Sequence, residues 1–187
     1  NIRKKLNDVY IKLTLNFEKA KFKKLLANNL KGEILRNNHE VTLKNIVVKG
    51  AGGILKVSGT MKESKQTNGS IKIENVDVKK LFYGLNNFGQ KTISDENLEG
   101  KFSANIDFSA SLDDKYNPVL GSMDGTLDFK LTNGKLLKFE PITNLSKFIF
   151  KKRELDNISF SEIKQKAMLK KGTLHISSMQ IQSTALS

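Results

Sequence analysis

From Gly100 to Leu112 the chain reads GKFSANIDFSASL. Phe102, Ala104, Ile106, Phe108, Ala110 and Leu112 share one parity, and Lys101, Ser103, Asn105, Asp107, Ser109 and Ser111 share the other. Side chains alternate across a β-strand, so this stretch predicts a strand with one apolar and one polar face. At about 3.3 Å per residue it runs roughly 40 Å, well beyond the usual five or six residues. What covers the apolar face, whether a second sheet, helices or a ligand, decides what the chain can be.

Other segments repeat the pattern. Val9, Ile11, Leu13, Leu15 and Phe17 alternate with polar neighbours, as do Val41 to Val48 and then Leu55 and Val57 in residues 52–61. Residues 20–31 fit either an amphipathic helix carrying Phe22, Leu25, Leu26 and Leu30 or two strands around Lys23-Lys24. Asn68-Gly69 reads as a turn into Ile71 and Ile73. The period then changes: Asp77 caps a helix bearing Val78, Leu81, Phe82, Leu85 and Phe88, with Gly89 as its stop. After the long strand, Leu127, Phe129 and Leu131 alternate, and Asn133-Gly134 reads as a tight turn into Leu136. Pro141 suits the first turn of a second helix, from Ile142 to about Phe150. Residues 158–169 fit helix or strand; Lys171-Gly172 turns into Leu174 and Ile176, and parity slips toward Met179 and Ile181 as at a bulge.

Gly-x-apolar-x-apolar recurs at Gly53, Gly69, Gly100, Gly125 and Gly172 at irregular intervals, which excludes a fixed-period solenoid. The pattern predicts antiparallel strands that each start after a glycine turn. The fold class expected is mainly β with one to three short helices.

Catalysis has little to work with. His39 sits next to Glu40 and His175 on the polar parity of its strand, two isolated histidines that read as solvated, and Asp95-Glu96 and Asp113-Asp114 are acidic pairs in loop-like stretches. Gly50-Ala51-Gly52-Gly53 lacks the context of a phosphate loop. There is no Cys, so neither disulfides nor thiolate metal sites are available. No cofactor and no metal is expected, and the chain reads as a non-enzyme. The formal charge of +13 invites nucleic acid or an anionic surface. Yet all cations but Arg3, Arg36 and Arg153 are lysines, spread along the polar parity of strands, where they keep sheets soluble. The phenylalanines mostly share parity with Leu and Ile, so no dedicated nucleic-acid site is indicated.

The apolar parity itself remains. Each such side chain gains roughly 1.5–3 kcal/mol by leaving water, and a bare strip of this size exceeds the few hundred Å² that monomers tolerate. A β-sandwich with a dry core answers this by folding sheet on sheet. A curved open sheet holding acyl chains answers it with ligand. Alternation satisfies both.

GGILKVSGTM (52–61), IKIENVDVKKLFYGL (71–85), LEGKFSANIDFSASL (98–112), MDGTLDFKLTNGKLLKFEPITNLSKF (123–148) and KKGTLHISSMQIQST (170–184) together resemble the C-terminal region of AsmA-like bacterial envelope proteins. The likeness covers most of residues 20–187 and rests on turns and apolar spacing. It implies a single β-rich domain over 1–187, a fragment of a larger protein held in the inner membrane by a helix outside this segment. No apolar run here reaches the roughly 18 residues of a membrane span. It further implies a periplasmic location, a role in phospholipid transport and outer-membrane biogenesis, envelope protein partners, and an elongated taco-like half-barrel with an apolar concave side. It tips residues 20–31 and 158–169 toward strand. On that reading Leu55, Val57, Ile71, Ile73, Phe102, Ile106, Phe108, Leu127, Phe129 and Leu131 line a lipid-binding groove, with helix 78–88 at one end and lysines meeting headgroups. The competing expectation is a structural or protein-interaction β-sandwich in which all ten are ordinary core.

Overall fold

A computed structural model describes residues 10–89, 91–138 and 157–176, and the backbone of 181–183. Ten strands are built: β1 (Ile11–Phe22), β2 (Leu25–Arg36), β3 (Glu40–Gly50), β4 (Gly53–Lys62), β5 (Gln66–Asp77), β6 (Leu98–Ser111), β7 (Asp124–Leu137), β8 (Asn157–Lys170), β9 (Thr173–Ile176) and β10 (Ile181–Ser183). One helix, α1 (Val78–Gly84), lies between β5 and β6. The strands form a single antiparallel meander in chain order from β1 to β8, with β9 and β10 both paired to the far edge of β8. They form one continuous curved sheet, so the sandwich alternative is not the architecture adopted. Residues 20–31 and 158–169 are strand, the former as two long strands meeting at Lys23-Lys24. The expected second helix at 142–150, the basic run 151–153 and the parity slip at Met179 lie outside the described residues.

Register places every apolar row on one face. Val48, Leu55, Ile73, Ala104 and Phe129 are successive cross-strand partners or neighbours from β3 to β7. Ile46, Val57, Ile71, Ile106, Leu127 and Ala167 form the next row, which ends on Ile176 in β9. We call this the inner face.

Two turn readings are corrected. Asn68-Gly69 sits inside β5, and the chain reverses instead at residues 63–65. Asn133-Gly134 sits inside β7. Each glycine is there for its cross-strand partner. Gly69 opposes Phe108, whose ring would stand 3.1 Å from any Cβ at that site, and Gly134 likewise lies under the ring of its partner Phe160. Gly100 and Gly125 are also strand residues, so among the recurrent glycines only Gly53 and Gly172 follow the turn-then-strand expectation.

The helix is shorter than expected. Asp77 caps it, its Oδ1 accepting the Lys80 N–H at 3.0 Å. The helix ends at Gly84 because Asn86, Asn87 and Phe88 turn left-handed, at φ 54°, 52° and 55°. Phe88 therefore lies beyond the helix, its ring edge-on to Phe82 at 5.0 Å.

Candidate functional site

All ten residues expected to line a groove do share the inner face, as their register pairs require. Ile73 and Leu131 are buried and the other eight are partly buried. Parity in each strand, together with pairing, brings them together.

The curvature follows from α1. Gly84 packs on Leu25 of β2, and the Lys24 N–H donates to the Gly84 carbonyl at 3.0 Å. At the other end of the helix, Val78 packs with Leu98, Leu131 and Phe160 of β8. β2 and β8 are six strand spacings apart, about 29 Å along the sheet, whereas seven helical residues span about 10 Å. One short helix touches both, so the sheet curls around it with the inner face concave. Between these ends Leu81, 2% exposed, packs on Ile73, Val76 and Ala104. The helix thus plugs one end of a trough.

Bends within the strands support the curl. Asn29, Asn45, Asn75 and Asn133 are all left-handed, and each falls at or beside a shift of register. An extra residue at a bulge bends its strand and raises local twist. At Asn45, Asn75 and Asn133 the inward parity slips, from Leu43 to Ile46, from Ile73 to Val76 and from Leu131 to Gly134. The bulges keep both halves of a long strand facing inward. They were not anticipated, although the slip in parity around each of these asparagines was a visible signal.

Away from α1 the trough is open among the described residues. Leu13 and Phe17 on β1 are 53% and 52% exposed, and Leu174 and Ile176 on β9 are both 50% exposed, so both rims are apolar and uncovered. Gln165 is the one buried polar side chain on the described floor, its Nε2 donating to the Lys166 carbonyl at 3.1 Å. At the end opposite α1 stand Arg36, Met61, Thr67 and Ala110, with the loop after β6 folded beside them.

The outer face carries a ladder of charges. Lys56 and Lys72 oppose each other and both reach Glu74, at 2.9 and 3.0 Å. Hydrogen bonds from Lys56 and Lys72 hold the Glu74 carboxyl below its usual range. Lys12 and Glu33 are coupled in the same way at 2.6 Å, the lysine raised and the glutamate lowered by their mutual hydrogen bond. Further pairs join Lys130 to Glu162, Lys135 to Glu99 and Lys166 to Asp128. Such exposed pairs contribute little stability singly, but they hold neighbouring strands in sign-matched register.

Among the described residues no three His, Asp or Glu side chains are placed to hold a metal ion. His39 pairs with Glu63 at 3.1 Å, and His175 sits on the outer side of β9 opposite Met168. Among the described residues no helix is long and apolar enough to cross a membrane. Comparison with family models, curated proteins and solved structures finds no match.

Proposed function

We propose that this chain is a non-catalytic, lipid-binding segment of an AsmA-like envelope protein that takes acyl chains along its concave face. The carrying observation is a continuous apolar face across nine strands for which, among the described residues, α1 supplies cover at one end alone. Apolar surface of that extent gains roughly 25 cal/mol per Å² on leaving water, and in a trough with open rims a flexible hydrocarbon meets that requirement. A location in the periplasm, attachment through an anchor elsewhere in the parent protein, envelope protein partners and a part in phospholipid transport follow from the resemblance and belong to the same proposal.

The test replaces two floor residues, Phe108→Asp with Phe129→Asp, and measures phospholipid co-purifying with the folded protein by native mass spectrometry. Two carboxylates on the partly buried floor oppose hydrocarbon strongly, so bound lipid is expected to fall by at least about tenfold, the equivalent of 1.4 kcal/mol. Unchanged lipid in a protein that keeps its β-sheet circular dichroism refutes the assignment.

A further inference from the structure

The trough has chemically different ends. At one end α1 seals it with Leu81 against Ile73, Val76 and Ala104. At the other, Arg36 closes the inner-face row of β2, paired with Val41 of β3, which in turn pairs with Met61. Among the described residues Arg36 is the only arginine, and its guanidinium makes no ion pair. A hollow of about 360 Å³ adjoins it, lined by the 37–40 turn, Val41, Met61, Lys62, Glu63 and Tyr116.

Neither carboxylate on that hollow, Glu40 or Glu63, is ion-paired with Arg36. Glu40 Oε1 accepts the Thr42 hydroxyl at 3.1 Å, and Glu63 Oε2 is 3.1 Å from His39 Nδ1. By parity Glu40 faces outward, since its neighbour Val41 faces in. The nearby cation Lys65 is held by Asp114. The Arg36 guanidinium, unpaired at the end of an apolar row, has its planar fork available to phosphate oxygens, with Lys62 on the same hollow as a second cation.

Length fits as well. From Met61 to Leu55 along β4 the floor runs about 20 Å from the Arg36 level to the α1 level. The acyl chains of one leaflet span about 15 Å, half of a bilayer core. From this geometry, and resting on the acyl-binding reading above, we propose that the trough holds an anionic phospholipid lengthwise. Its phosphate lies at Arg36, and its acyl ends point toward α1.

The test offers the 187-residue chain an equimolar mixture of dioleoylphosphatidylglycerol and dioleoylglycerol, which share acyl chains and differ in phosphate, and reads bound species by native mass spectrometry. The wild type should favour the phospholipid, and Arg36→Gln should reduce that preference by about fivefold, the scale of one partly exposed charge contact. Arg36→Lys should retain part of it. Lys49→Gln, which removes a charge from the outer face, should leave it unchanged. If wild type and Arg36→Gln bind both lipids alike, the head placement is overturned while acyl binding stands. An equal loss in Lys49→Gln overturns it too, since net charge then suffices. If neither lipid binds, both readings fall.

Discussion

Leu81→Ala, on the helix packed against the inner face, and Leu13→Ala, on that face at β1, delete the same atoms, and the structure assigns them very different costs. Leu81 is 2% exposed and wedged between Ile73, Val76 and Ala104. Losing three carbons there forfeits about 2.4 kcal/mol of transfer energy, and the cavity left between helix and sheet raises the total to about 3 kcal/mol or more. Leu13 is 53% exposed on β1, where water already reaches half the side chain and no cavity forms. Its truncation should cost about 1 kcal/mol or less by the same scaling. Urea unfolding of lipid-free protein measures both. With a slope near 2 kcal/mol/M, the midpoint should fall by about 1.5 M for Leu81→Ala and about 0.5 M for Leu13→Ala, with slopes unchanged. Equal losses would refute the reasoning, because they would mean that protein atoms cover the trough at β1 as fully as α1 covers it at β6.

Gly69→Val should destabilise by about 1–3 kcal/mol in the same assay, since the new side chain meets the Phe108 ring at 3.1 Å and the Ser58 carbonyl at 2.7 Å. Asn75→Gly should be neutral within about 0.5 kcal/mol, whereas Asn75→Val should cost about 1–2 kcal/mol, because a β-branched residue resists the φ of 54° at this bulge. The 113–117 loop should respond to pH through Lys65 and Asp114. Their hydrogen bond lowers the Asp114 pKa from its ordinary 3.8 and raises that of Lys65 from 10.5. The carboxylate's contribution is present above pH 3.8 and lost as pH falls through its lower folded value; the lysine's is present below pH 10.5 and lost as pH rises through its higher one. Asp113 is lowered too, chiefly by the Asn117 backbone N–H, and so adds to the acid side. Amide exchange in 113–117, corrected for the intrinsic pH dependence, should show protection steady at neutral pH and falling in strong acid. Lys65→Met should remove the response of the Asp114 contact.

Strand content and facing were legible because alternation is a local property. Phe102 through Leu112 and Leu127 through Leu131 announced their buried side without reference to any partner. The start of α1 was equally legible, because a cap acts over three residues. Its end was not. Gly89 carried the expected stop signal, but Asn86 and Asn87 turned left-handed first, with Gly84 set against Leu25 some sixty residues earlier in the chain. The two Asn-Gly pairs misled for a related reason. A glycine that makes room for an aromatic ring across the sheet has the same letter as one that makes a turn.

The chain order of polar and apolar residues by itself determined that this protein has one wet and one dry face, and which side chains belong to each. Whether the dry face would be sealed or left as a trough depended on facts that no single strand contains. Pairing order put β2 and β8 at opposite sides of one sheet; left-handed asparagines bent the strands; and a seven-residue helix, touching both sides, fixed the curl. Burial is a sum over neighbours distant in sequence, so it was settled only when the sheet closed around α1.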